Sequence, residues 1–424
     1  MHTPQSVLET TMARGRAAGV TQRVAREIGS DGKTLVLEPN GQQVLSFATC
    51  SYLALDRDWR LAEGAIEAIR RCGVAVSASR CFITSPLYAE AEALLQQLFG
   101  RPVVLAGSTT LAHGAALPLL CDRRDVVLHD RQVHHSVQTA LTALGPHGPR
   151  CEALPHADLD ALETAICAAL AAGVRRIWYC ADGIYSMFGD RLDVAGLATL
   201  MRRYPALHAY LDDAHGMSWC GPRGAGSLFD AALPPDRTII ATSLSKGFGA
   251  SGGLLVVPDR LTKERLENLG PSLMFSIQLP PAVLGAICTS ARLHLSPELP
   301  AMQAELASRL ALLRALTTTS PALRGRAPAQ AGLTGQPPTP IGYLVIGDAE
   351  QTLAASRGLL ARGFLVNPVA FPAVPLGRGG LRFTITRAHS AQDVTLLIGA
   401  LTEVVEELAA EPAGVGAKVL AAAR

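Results

Sequence analysis

From about residue 60 to residue 290, short apolar runs ending in polar or small residues alternate with longer stretches rich in alanine and leucine. The runs are Pro102-Val-Val-Leu-Ala106, Asp125-Val-Val-Leu-His129, Arg176-Ile-Trp-Tyr-Cys180, His208-Ala-Tyr-Leu-Asp212 and Thr238-Ile-Ile-Ala-Thr242. Near-continuous apolar runs of this length read as strands buried on both faces, and stretches such as Ala89 to Phe99 read as amphipathic helices. The alternation predicts an α/β fold with a mainly parallel sheet covered on both sides. Before it, the pattern predicts a helix and a short hairpin: Lys33 to Glu38, a Pro-Asn-Gly turn, then Gln43 to Phe47.

After it come a long helix (Pro300 to Thr318) and a Pro/Gly/Ala-rich stretch (Ser320 to Pro340). A strand (Ile341 to Ile346), a helix near 350–362, a strand (Gly380 to Thr386) and a final helix (Ala391 to Ala410) follow, which together read as a smaller α+β domain. No internal repeat is present. The expected divisions are an N-terminal arm at 1–58, a large domain at 59–295, a small domain at 296–412 and a frayed tail at 413–424.

Composition narrows the class. A chain of 424 residues has room for two or three subdomains and a large core. The formal net charge is only +2 and no basic stripe stands out, which excludes a polyanion-driven binder such as a nucleic-acid protein. No uninterrupted apolar run is long enough to span a bilayer, and the N-terminal residues lack the charged and apolar regions of a signal peptide. Nine cysteines are scattered without a Cys-x-x-Cys pair, so free thiols of a cytoplasmic enzyme are expected. His134-His135 and His208 lack the spacing of a zinc site, and no metal is expected.

The candidate chemistry centres on Thr242-Ser-Leu-Ser-Lys-Gly-Phe-Gly249. Lys246 lies just past a predicted strand end, where α/β proteins place their sites. Its small neighbours allow close approach of a bulky group, and Ser243 and Ser245 offer hydroxyls to an anion. A lysine so placed suits imine formation with pyridoxal 5'-phosphate (PLP). Four upstream segments offer what such a site needs. Asp212 can hold a protonated pyridine nitrogen and His215 the ring hydroxyl, although Asp212 or Asp213 can also be read as a helix cap. His134, in Asp130-Arg-Gln-Val-His-His-Ser136, can lie against the ring and shuttle a proton, or be a surface residue. Gly107-Ser-Thr-Thr-Leu-Ala112 opens a helix whose N–H groups suit a phosphate, and Ser186 leaves a buried strand within reach of a ring substituent. Far downstream, Arg382 in a half-buried strand needs an anion, either a substrate carboxylate or an internal ion pair.

The order and spacing of these motifs resemble the α-oxoamine synthase family of fold-type I PLP enzymes. Its familiar members are 8-amino-7-oxononanoate synthase, 5-aminolevulinate synthase, glycine C-acetyltransferase, serine palmitoyltransferase and the aminoketone autoinducer synthases. The resemblance runs from about Ser46 to Ala410 and includes Ser51-Tyr-Leu-Ala-Leu55, Gly221-Pro-Arg-Gly-Ala-Gly226, Met274-Phe-Ser-Ile-Gln-Leu-Pro-Pro281 and Pro372-Ala-Val-Pro375. It implies an aspartate-aminotransferase-like fold: a large domain with a mainly parallel seven-stranded sheet and a smaller C-terminal α+β domain. It also implies Lys246 as Schiff-base lysine, Asp212 at the pyridine nitrogen, His215 at the ring oxygen, His134 stacked on the ring and Ser186 close by. Thr109, Thr110 and Ser243 would contact the phosphate, Ser276 would reach it from the neighbouring subunit of a homodimer with shared sites, and Arg382 would hold the amino-acid carboxylate.

The chain departs from the family pattern on the substrate side. Cys50 and Ser51 replace the usual Asn-Asp, His113 stands where asparagine usually follows the phosphate turn, and Tyr88 sits where many members have histidine near the acyl donor. The loop Ser77-Ala-Ser-Arg80 is glycine-poor, and Ser243 takes the place of a common threonine. The implied reaction is decarboxylative condensation of an α-amino acid with an acyl-CoA or acyl-carrier-protein thioester to an α-aminoketone, in secondary metabolism or signalling. Other fold-type I chemistry (an aminotransferase, aldolase or non-decarboxylating acyltransferase) is the nearer rival, and a non-catalytic protein retaining the fold the farther one.

Overall fold

The computed structural model describes residues 4–229, 232–326 and 338–410. Much of the Pro/Gly/Ala-rich stretch and the expected 413–424 tail therefore lie outside the described residues. Contacts divide the chain into two compact units: Leu53–Ser186 with Arg191–Gln303, and Met1–Tyr52 with Met187–Asp190 and Ala304–Arg424.

The first unit is built on a seven-stranded sheet. Its spatial order is Val103–Ala106, Gly253–Val256, Thr238–Ser243, Leu207–Asp212, Ile177–Asp182, Val126–Asp130 and Arg150–Leu154. Gly253–Val256 runs antiparallel to both neighbours, and every other pairing is parallel. The interior strands are buried almost throughout, with only His129 and His208 partly exposed, as their apolar runs require. Alternate residues feed two cores: Leu128, Tyr179 and Leu211 pack on one face, Val127, Cys180 and Tyr210 on the other. Two strands escape the sequence pattern. Arg150–Leu154 is a largely exposed edge with no apolar run, and Gly253–Val256 follows directly on the lysine loop without an intervening helix. Gly253 is required there: a Cβ would stand 2.4 Å from the Thr109 backbone nitrogen.

The second unit joins the N-terminal segment to the C-terminal one. The hairpin Thr34–Leu37 and Gln42–Ser46 gains Ala25–Ile28 on one side and Phe364–Leu365 on the other. A three-stranded antiparallel sheet places Gly379–Thr384 between Ile341–Gly347 and Asn367–Val369. Helices Ala349–Ala361 and Ala391–Ala410 belong to this unit, the first opened by an Asp348–Gln351 capping box. Among the described residues no helix is long and apolar enough to cross a membrane.

Candidate active site

Strand ends of the sheet unit surround a cavity of about 240 Å³. Its lining includes Lys246, His215, Asp212, His134, Thr109, Thr110 and Ser243, so seven side chains anticipated from sequence converge on one space. Convergence follows from topology: parallel strands all deliver their C-terminal ends to the same edge.

Lys246 stands three residues past the strand Thr238–Ser243, and its Nζ lies 3.0 Å from His215 Nε2. The turn carrying it is pinned by Ser245, whose Oγ donates to the Gly252 carbonyl (3.4 Å) and accepts the Gly252 N–H (3.2 Å). Ser243 Oγ accepts the Ser245 N–H at 3.1 Å.

Asp212 ends its strand with 5 % of its surface exposed. One carboxylate oxygen accepts the Ala214 N–H at 2.9 Å, and the other lies 3.1 Å from His113 Nε2. Burial alone would raise its pKa, but the His113 hydrogen bond, the charge of Lys246 and the backbone donor hold it down at about 2. Asp213, one residue on, does other work. Its buried carboxylate accepts from Ser227 N–H and Oγ–H and from Leu228 N–H, tying down a turn, and no helix starts at either aspartate for it to cap. Burial pushes Asp213 up to about 7.

His134 caps the helix His135–Thr142, its Nδ1 accepting the Ser136 N–H at 3.3 Å. That bond leaves the proton of the neutral ring on Nε2. Burial lowers its pKa, partly offset by Asp212, so the ring is neutral near pH 7. The loop before it is anchored by buried Asp130, which accepts from the Gln132 and Ala157 N–H groups and the Tyr185 hydroxyl, with His156 Nδ1 at 2.9 Å.

At the helix Thr109–Leu120, Ser108 Oγ accepts the Leu111 N–H, and the first-turn N–H groups face the cavity end of the helix without intrahelical acceptors. An anion is favoured there by the helix dipole as well.

Sequence reasoning overlooked Asp182, which also lines the cavity. It sits beside Asp212 in the strand register, and its Oδ1 accepts the His134 N–H at 3.1 Å. Burial and the Asp212 charge drive its pKa well above the usual carboxylate range. The signal was available: like Asp212, it closes a buried apolar run.

Other anticipated residues lie elsewhere. Ser186 is half-buried and does not line the cavity; Ile184, two residues earlier, does. Ser276 lies between exposed Phe275 and Ile277 on the surface of the same unit. Tyr88 is a core residue: its hydroxyl accepts the Leu279 N–H at 2.7 Å and its ring lies 4.1 Å beneath the Arg80 guanidinium. Arg382, Cys50 and Ser51 belong to the other unit, where Arg382 Nη2 donates to Cys50 Sγ at 3.7 Å.

The donor set fits PLP. A helix N-terminus suits a phosphate, a buried anionic carboxylate suits a protonated pyridine nitrogen, and a lysine beside an imidazole suits an aldehyde next to a ring hydroxyl. Comparisons with known proteins agree. The class I and II aminotransferase family model matches residues 42–401. A putative 8-amino-7-oxononanoate synthase of Desulforudis audaxviator is 31 % identical over 94 % of this chain and 99 % of its own. The 8-amino-7-oxononanoate synthase of Geobacter sulfurreducens is 32 % identical over 93 % and 96 %. Among solved structures, Sphingomonas wittichii serine palmitoyltransferase superposes with a TM-score of 0.83 at 22 % identity, over 96 % of this chain and 98 % of that one. Both curated relatives carry the name of 8-amino-7-oxononanoate synthase, so the narrower expectation of secondary metabolism or signalling gains no support from them. The chain belongs to the class I and II aminotransferase family of PLP-dependent enzymes and, within it, to the α-oxoamine synthases.

Proposed function

We propose that this protein condenses an α-amino acid with an acyl thioester, with loss of CO₂, to form an α-aminoketone. The observation that carries the reading is the convergence of Lys246, His215, Asp212 and His134 on one cavity that also receives a helix N-terminus. Lys246 would hold PLP covalently, Asp212 the pyridine nitrogen, His215 the ring hydroxyl, His134 the ring face, and Thr109, Thr110 and Ser243 the phosphate. When bound, PLP supplies an electron sink for the amino acid's α-carbon.

The chain's own groups do the rest. Lys246 Nζ, as the free amine it is whenever it is not bound to PLP, would take the α-proton and later return one at the same carbon, and the 3.0 Å contact to His215 holds the amine on that side of the cavity. His134 presents Nε2–H as a donor to the acyl carbonyl while its Nδ1 is occupied by Ser136. Asp182, whose pKa burial and the Asp212 charge raise, fixes the His134 backbone by accepting its N–H. Arg382 is the proposed partner of the substrate carboxylate, with Cys50 against its guanidinium, Ser51 next to Cys50 in sequence, and Tyr88 acting on the acyl side only through packing. Ser186 is kept as a ring contact on the resemblance alone.

A homodimer with shared sites is part of the proposal. Ser276 stands amid an apolar surface made by Phe82, Ile83, Phe275 (83 % exposed) and Ile277 (69 %). Those two segments are tied together by Ser79 Oγ donating to the Met274 carbonyl at 2.7 Å. A cytoplasmic setting is supported by nine cysteines of which none forms a disulfide.

The test is a screen of amino acids with acyl-CoAs and acyl-carrier proteins, read by mass spectrometry and CO₂ release. An α-aminoketone with stoichiometric CO₂ and free thiol is expected. A keto acid formed without thioester indicates transamination and overturns the proposal. Mixed dimers of Lys246→Ala and Ser276→Ala subunits should recover activity that neither parent has, whereas separate sites would leave them inactive.

A further inference from the structure

Behind Asp212 lies a buried relay. His113 is wholly buried, with Nε2 3.1 Å from Asp212 Oδ2 and Nδ1 2.8 Å from the Tyr210 hydroxyl. Tyr210 precedes Asp212 by two residues on one strand, so both side chains leave the same face of the sheet and His113 bridges them from the helix Thr109–Leu120. The two rings meet edge to face, with centroids 5.7 Å apart. The remaining Asp212 oxygen accepts the Ala214 N–H. The carboxylate is thus clamped at both oxygens.

We propose that His113 is a positioning residue for the cofactor: with Tyr210 donating to Nδ1, its Nε2–H donates to Asp212 and locks that carboxylate, ionised, toward the pyridine nitrogen of PLP. This rests on the reading of Asp212 as the partner of that nitrogen. Hydrogen-bond logic selects the arrangement. A neutral imidazole has one N–H. Placed on Nε2, it satisfies the carboxylate, while the Tyr210 O–H satisfies Nδ1. Placed on Nδ1, it sets an imidazole lone pair against a carboxylate lone pair at 3.1 Å, which an anion does not tolerate in a buried site. The carboxylate therefore chooses the tautomer, and the Tyr210 hydroxyl, able to donate or accept, completes it by donating to Nδ1. An asparagine in this position can donate an N–H to Asp212 but has no ring nitrogen for Tyr210 to reach.

The experiment measures PLP affinity and the pyridine nitrogen chemical shift of ¹⁵N-labelled PLP in the holoenzyme, with His113 tautomer read by ¹⁵N NMR. His113→Leu strands a buried carboxylate and a buried hydroxyl, so PLP affinity should fall about tenfold or more and the pyridine shift should move toward the unprotonated form. His113→Asn should recover most of the affinity and the protonated shift, and Tyr210→Phe, which leaves Nδ1 without its donor, should fall between, with the His113 proton still on Nε2. Wild-type affinity and pyridine shift in His113→Leu overturn the inference. Should that variant not fold, the wild-type spectrum decides, because a proton on Nδ1 overturns it equally. Asp212→Ala separates the two readings. If it too leaves affinity and shift unchanged, the assignment of Asp212 fails; if it alone changes them, only the role of His113 fails.

Discussion

The lysine cavity and the Arg382 strand are built on different terms. Around Lys246, ionisable groups hold one another: Asp212 between His113 and Ala214, His134 between Ser136 and Asp182, Lys246 against His215. Around Arg382, 6 % exposed, a guanidinium donates to a thiol at 3.7 Å. Nearby Tyr52 is a fully buried phenol whose pKa burial drives well up, Cys50 adding to the rise and Arg382 opposing it. A thiol is a weak acceptor, and the planar fork of arginine is matched by a carboxylate. The contrast teaches that the cofactor side is organised by ionisable groups that hold one another in place, while at Arg382 the contact to Cys50 is a weak one.

Removing the lysine is the severest way to test the cofactor side. Lys246→Ala should abolish covalent PLP, seen as loss of its absorption band, and lower kcat by roughly 10³-fold or more. Unchanged turnover would break the comparison at its strongest point. On the other side, Arg382→Ala should raise the amino-acid KM by roughly 10- to 100-fold, the value of hydrogen bonds to a charged group, with Arg382→Lys recovering only part. A KM that stays put, with lowered thermal stability, would instead mark an internal ion pair.

Acid should weaken both units through a buried neutral histidine in each. His294 donates from Nδ1 to the Ser290 carbonyl, with the Ser218 hydroxyl 2.8 Å from Nε2, and burial lowers its pKa to about 4. His389 lies with Nε2 3.0 Å from the Ser46 carbonyl, its Nδ1 accepts the Thr386 N–H, and burial lowers it likewise to about 4. The folded values lie below the unfolded value of about 6.5, so the unfolded chain binds more protons between those limits. Stability therefore falls as pH drops from 6.5 toward 4 and levels off below, by on the order of 3 kcal/mol for each histidine. Asp212 acts in a lower window: its depressed value contributes stability above the unfolded 3.8 that is lost as pH falls through about 2. Urea midpoints at pH 7 and pH 4.5 for the wild type, His294→Gln and His389→Gln check this, and a flat wild-type profile would refute it.

Two milder changes sharpen the contrast. Cys50→Asn should shift preference among amino acids by up to about tenfold while leaving PLP affinity alone, since the thiol touches Arg382 and not the cavity lining. Tyr88→Phe should destabilise by about 1 kcal/mol, because it strands the buried Leu279 N–H, with turnover little changed. A large kinetic effect of Tyr88→Phe would return that residue to the substrate side.

How far the site was legible depended on where its residues sit along the chain. Lys246, Asp212, Thr109 and Thr110 each stand at or just beyond a strand end or at a helix start, positions that apolar runs and small residues announce. Ser186 was anticipated and Asp182 overlooked in the same segment, because reach into the cavity depends on strand register with Leu207–Asp212. Tyr88 looked like a substrate contact by position, yet its helix Pro86–Phe99 buries it against the core. Arg150–Leu154 went unseen as a strand because an exposed edge needs no apolar run.

The sequence by itself determined the fold class and the cofactor and singled out Lys246 as the candidate lysine, since periodicity and the neighbours of single residues are local properties. Only the tertiary structure decided that His113 meets Asp212 across 99 residues, or that Asp182 stands beside Asp212. Those contacts arise from the order and register of strands, which packing of the whole sheet settles and no local pattern encodes.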